Sequence, residues 1–173
     1  KIGDAERFAM MQRFDPDAPS TLTAADILDA SYLPVTTPGT GWNARTQQLG
    51  NVFIGASRDN LLNALQSQQS NVWNYQFNWA QQPAPWNDVY GAAHAFDLPF
   101  VFGNFGPSVF ARATNSTANQ PGRLALSRAM MDSVRAFVHT GDPNHATLGQ
   151  TWQPWPAKLL LDADQKAVRL SVQ

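Results

Sequence analysis

His94 is the residue in this chain whose type and setting best suit proton transfer. It follows Val89-Tyr90-Gly91-Ala92-Ala93 and precedes Ala95-Phe96-Asp97, so small side chains flank it and nothing bulky shields the imidazole. Histidine is the one side chain whose unperturbed charge change falls near neutral pH, which suits a general base that later returns its proton. The stretch runs on through Leu98-Pro99-Phe100-Val101-Phe102 to Gly103, an apolar segment closed by glycine. Asp97 is too near His94 in sequence to be a natural partner acid. It reads instead as an anchor that holds the loop by accepting backbone N–H bonds. Phe96, Phe100 and Phe102 read as packing below the site, with an acyl pocket as the second reading. His139, on the polar face of a predicted helix, and His145, after Pro143, read as surface residues. The three histidines lack ligand spacing, so no metal site is expected.

The elements around this stretch follow from apolar periodicity and breakers. Phe8, Met11 and Phe14 repeat at helical spacing after Asp4, a plausible N-cap. Asp15-Pro16 stops that helix, and Thr23 or Ser20 can cap a short second one through Leu28. Residues 33–50, rich in Pro, Thr, Gly and Gln, predict a long surface loop. Asn51-Val52-Phe53-Ile54-Gly55 predicts a buried strand, and Ala56-Ser57-Arg58-Asp59-Asn60 the loop it feeds. Leu61, Leu62 and Leu65 predict a helix from near Asp59. Val72–Trp79 alternates aromatic and amide residues, which predicts a strand with Trp73, Tyr75, Phe77 and Trp79 on its buried face. Leu126, Met130, Val134 and Phe137 form one face of a helix over Arg123–Thr140, opened by Asn119 or Pro121 and closed by Gly141. Trp152 and Trp155 predict a packing anchor for the tail, and Leu159–Leu161 and Ala167–Val172 predict strands. Asn115-Ser116-Thr117 is a glycosylation triplet of a kind that arises often by chance.

Composition narrows the function classes. The 173 residues make one domain's worth of chain or part of a larger one, with six Trp and ten Phe to build a core. Only 14% of residues are charged, against about a quarter in ordinary soluble domains. Surface that sparse in charge is expected to be covered in the intact protein. The net charge of −1 offers no basic stripe, so nucleic acid is not an expected partner. The absence of cysteine removes thiolate nucleophiles and disulfides. No apolar run reaches the length of about 18 residues that a membrane span needs. Lys1-Ile2-Gly3-Asp4 carries no signal-peptide core and reads as mid-chain; the compartment stays open.

Acyl transfer by a serine hydrolase needs an attacking serine, a histidine that takes its proton and a carboxylate that holds the imidazole. Backbone N–H groups must also face the developing oxyanion. On an α/β-hydrolase sheet the order is serine, acid, histidine. Asp59-Asn60 and His94 fit the last two places. No Gly-x-Ser-x-Gly is present, and Gly55-Ala56-Ser57-Arg58-Asp59 fails at its last glycine.

Four blocks together carry a family resemblance: Asn51–Asn60, Gly91–Gly103, Leu126 through Thr140-Gly141-Asp142-Pro143-Asn144, and Trp155-Pro156. In order and spacing they resemble the C-terminal part of type-B carboxylesterases, the carboxylesterase/cholinesterase family of α/β-hydrolases. The resemblance implies an α/β fold, the C-terminal segment of a single domain with a mixed, mostly parallel sheet flanked by helices and incomplete on its own. It implies a serine esterase acting on a small ester without a cofactor, with the nucleophile and oxyanion hole supplied by an N-terminal segment. His94 lands on the family's histidine, with Ala95 in place of the usual glycine. Asn60 lands on the triad acid, where the family has glutamate; the one glutamate here is Glu6. Three possibilities stand: Asn60 orients the ring with reduced turnover, another carboxylate such as neighbouring Asp59 serves, or the position is inactive. A non-catalytic binding or adhesion relative with a degraded triad is the alternative reading. The 173 residues alone are expected to be inactive and prone to aggregate through open strand edges.

Overall fold

A computed structural model describes residues 2–33 and 44–173. The long helix α7 (Gln120–Thr140) backs the larger of two cores. Pro121 sits in its first turn, where a missing N–H costs nothing, and Gly141 ends it at φ 76° with its N–H bonded to Phe137 O. Asn119 precedes the helix but does not cap it with its side chain. That side chain is fully buried and serves four partners. It accepts from Ser116 N and Arg123 Nε, and donates to the Gln81 and Thr114 carbonyls.

Against α7 lies a three-stranded mixed sheet, β1 (Tyr75–Phe77), β2 (Leu159–Ala163) and β3 (Val168–Val172), in that order. β1 runs parallel to β2 with Tyr75 opposite Leu159; β3 returns antiparallel with Val172 opposite Leu159. The fold class is therefore α/β, as expected. Asp164 closes the β2–β3 turn by accepting from the Lys166 and Ala167 N–H groups. α7 comes so close to this turn that a side chain on Gly122 would meet Asp164 O at 1.8 Å. Leu159, Leu161 and Ala163 alternate inward along β2 and pack with Leu126 and Met130 of α7, and with Trp79, Phe100 and Trp152. A second core gathers Met11 and Phe14 around Trp86, with Ile27 and Ala113; Met11 lies on α1 (Asp4–Arg13), Trp86 on α4 (Trp86–Val89) and Ala113 on α6 (Ala111–Thr114).

The predicted elements hold in part. α7 starts three residues early, and its apolar face divides. Leu126 and Met130 are 0% and 3% exposed, whereas Val134 and Phe137 are 45% and 47% exposed. Those last two line an apolar groove of about 350 Å³ with Leu65, Val72, Trp73 and Tyr75. The alternating strand is shorter than the pattern suggests, and Tyr75 is exposed on it. Trp152 and Trp155 do anchor the tail. The Trp152 indole N–H donates to Asn74 O, and that of Trp155 to Asn63 Oδ1.

The clearest departure is at residues 44–66. Residues 34–43 of the predicted loop lie outside the described residues. The rest of it, Ala44–Gly50, is helix α2. The predicted strand Asn51–Gly55 is a π-helical turn, and the predicted loop Ala56–Asn60 opens helix α3 (Ala56–Gln66). A buried strand needs ladder partners for its N–H and C=O groups, whereas a helix satisfies them within the segment. Ala, Leu, Gln and Arg on both sides favour helix, and the wide turn absorbs the mismatch between them. The cost is exposure: Val52, Phe53 and Ile54 face outward, Phe53 by 68%.

Candidate active site

The His94 turn is built from its own backbone first. Phe96 N bonds to Ala93 O at 3.1 Å, which closes a turn with His94 and Ala95 at its centre. Ala95 has φ 67°, alone among the non-glycine residues described. Positive φ at the second central position alone defines a type II turn, where glycine is the usual occupant. A Cβ in that region costs about 1 kcal/mol, so the surroundings must impose the shape.

Four interactions do so. Gln82 Nε2 donates to Gly91 O at 2.6 Å, in a buried contact just before the turn. Phe96 is buried against Tyr90 and Phe110, with ring centroids 5.7 and 5.3 Å away. Phe100 is buried against Phe77 and Trp79, each at 5.0 Å. Ser127 Oγ of α7 donates to Phe100 O at 2.8 Å. The residues after His94 thus place Phe96 against rings that flank the second core, and Phe100, on the short helix α5 (Leu98–Val101), within the first. His94 stays exposed at the apex, and its side chain makes no hydrogen bond or ion pair among the described residues.

Asp97 does anchor the loop, though through a side chain. The Tyr75 hydroxyl of β1 donates to Asp97 Oδ2 at 2.8 Å. Burial pushes the Tyr75 pKa up, and the bond to Asp97 raises it further by favouring the protonated phenol. Tyr75 had no such role in the sequence reading. Its place on an alternating strand gave no sign of a partner so far along the chain.

Asn60 and Asp59 are both on α3, and no hydrogen bond joins either to His94. Asn60 is exposed. The Asp59 carboxylate is taken by its neighbour, with Arg58 Nε at 2.8 Å and Arg58 Nη2 at 2.7 Å. His139 is exposed, as expected. His145 is half-buried instead, with Nδ1 3.0 Å from Thr147 Oγ1 and a buried Nε2. The glycosylation triplet is tied into the fold. Asn115 donates to Phe105 O, Ser116 is buried, and Thr117 donates to Asp17. Among the described residues no His, Asp and Glu cluster could hold a metal ion, and no helix is long and apolar enough to cross a membrane.

Residues 23–171 match the carboxylesterase family model. Over 93 residues the chain is 32% identical to para-nitrobenzyl esterase of Bacillus subtilis (strain 168), which covers 53% of this chain and 17% of that protein. Over 92 residues it is 32% identical to bile salt-activated lipase of Bos taurus, covering 51% and 14%. The chain thus spans less than a fifth of the length of these curated relatives. Among solved structures, a Geobacillus stearothermophilus carboxylesterase aligns at 28% identity and TM-score 0.43, covering 59% of this chain and 20% of that one. An esterase from anaerobic Clostridium hathewayi aligns at 23% identity and TM-score 0.49, covering 89% and 32%.

Proposed function

The chain belongs to the carboxylesterase family, and from that premise we propose that it is the histidine-bearing C-terminal segment of a serine carboxylic ester hydrolase. An N-terminal segment supplies the serine and the oxyanion hole. The serine Oγ attacks the ester carbonyl while the His94 imidazole takes its proton. His94 then gives that proton to the departing alcohol oxygen, which leaves an acyl-enzyme. Water attacks the acyl-enzyme with His94 again as base, and the acid is released. Asn60 stands at the acid position and can orient the ring, but it carries no charge to stabilise the imidazolium. An amide in place of that carboxylate lowers turnover by about four orders of magnitude in a serine protease triad. Asp59 is the alternative acid and must first leave Arg58.

The observation that carries the reading is the exposed His94 at the apex of a strained, tightly held turn. Strain of this kind gathers at functional sites. The second reading, a non-catalytic relative, is favoured by Asn60. Hydrolysis of a short-chain chromogenic ester by the complete protein separates the two. His94→Ala is expected to lower kcat/KM by about 10²–10⁴-fold, the usual worth of a positioned base. Equal rates in the two proteins would remove His94 from the mechanism, and no hydrolysis by either would favour the non-catalytic relative.

A further inference from the structure

We propose that Tyr75 is a positioning residue for His94, acting through Asp97, a proposal that rests on the esterase reading above. The His94 imidazole is exposed and makes no hydrogen bond or ion pair among the described residues, so the fold sets its place through the backbone that carries it. That backbone is tied three residues to either side. Before His94, Gln82 Nε2 donates to Gly91 O at 2.6 Å. After it, the Tyr75 hydroxyl donates to Asp97 Oδ2 at 2.8 Å. Tyr75 is the one partner of the Asp97 side chain among the described residues, and Asp97 does not use that side chain to cap α5. The carboxylate thus has a single use among these residues, the bond to Tyr75.

The donor is itself fixed by the sheet. Tyr75 pairs with Leu159 at the start of β1, and Leu159 is fully buried. Asn74 O, just before it, accepts from both Leu159 N at 3.1 Å and Trp152 Nε1 at 3.0 Å. The Trp152 ring meets the Tyr75 ring edge-on, with centroids 6.3 Å apart. Burial, and then the bond to Asp97, push the Tyr75 pKa up, so the phenol remains a donor well above neutral pH. On the esterase reading the serine stands on the same sheet, so this bond sets the His94 turn relative to the nucleophile. A misplacement of about 1 Å between reacting groups can cost about 10²-fold in rate, which is the scale on which such a tie acts.

The test uses the complete protein and para-nitrophenyl acetate. Tyr75→Phe removes the hydroxyl and keeps the ring beside Trp152. It is expected to lower kcat about 10–100-fold with KM unchanged, the signature of an interaction used in the transition state and not in substrate binding. Asp97→Ala should lower kcat equally, and the double variant no further, because each change removes the same bond. Asp97→Asn keeps an oxygen that can accept from the phenol and should retain kcat within about threefold. Gln76→Ala is the control. Gln76 follows Tyr75 on the opposite face of β1 and accepts from Lys158 Nζ at 2.9 Å, so its loss removes a tie of the same strand and should leave kcat unchanged. A lower melting temperature with unchanged kcat in Tyr75→Phe overturns the proposal, as does an Asp97→Asn variant that falls as far as Asp97→Ala. His94→Ala in the same assay separates the two levels. If His94→Ala abolishes hydrolysis and Tyr75→Phe changes nothing, the positioning role alone fails. If His94→Ala is fully active, the esterase role of His94 itself fails.

Discussion

The turn that carries His94 and the helix that carries Asn60 are held in different ways. The turn closes on its own backbone, and contacts from separate elements then fix it: Gln82 before it, Tyr75 of β1 beside it, Ser127 of α7 after it. Of its two phenylalanines, Phe100 is buried within the first core and Phe96 against rings that flank the second. Helix α3 and the π turn before it close on their own ladder and bury little beyond Leu62. The apolar residues Val52, Phe53 and Ile54 stay outside. The difference teaches that a turn is fixed by contacts from several elements, whereas a helix closes on its own ladder and can leave its apolar side chains uncovered.

Two substitutions measure that contrast. Phe100→Ala removes a ring that is 2% exposed and should cost about 3–5 kcal/mol, read by urea unfolding of the complete protein. Phe53→Ala, at a residue 68% exposed, should cost less than about 1 kcal/mol in the same measurement. Equal costs would break the comparison, because they would put Phe53 in a buried strand of the kind its sequence predicts. A smaller effect sharpens it. Ala95→Gly relieves the positive φ and should raise stability by about 1 kcal/mol, partly offset by the freedom glycine gains in the unfolded chain. A loss of stability instead would mean that the Ala95 Cβ contributes packing worth more than the strain.

Local signals were readable in the sequence where local interactions decide the structure. Gly141 ends α7, the β2–β3 hairpin forms, and His94 sits at a small-residue turn because each needs only near neighbours or one clear apolar face. The exposure of Val134 and Phe137 was not readable. Periodicity identifies an apolar face but not how much of it is covered. Asn51–Gly55 was misread for a related reason. A short β-branched run is a strand only where ladder partners are present, and otherwise flanking helix formers prevail. The Tyr75–Asp97 bond was hidden because it joins residues from two patterns that do not refer to each other.

The most direct test of the central claim is the effect of Asn60→Glu on kcat/KM for a short-chain ester, measured with His94 present and again in His94→Ala. On the proposed pairing, a carboxylate at position 60 would act by stabilising the His94 imidazolium, so the two effects would depend on each other. The account predicts a gain of about tenfold or more with His94 present and no gain without it. An equal gain in both backgrounds, or none in either while His94 remains essential, would contradict the pairing of Asn60 with His94.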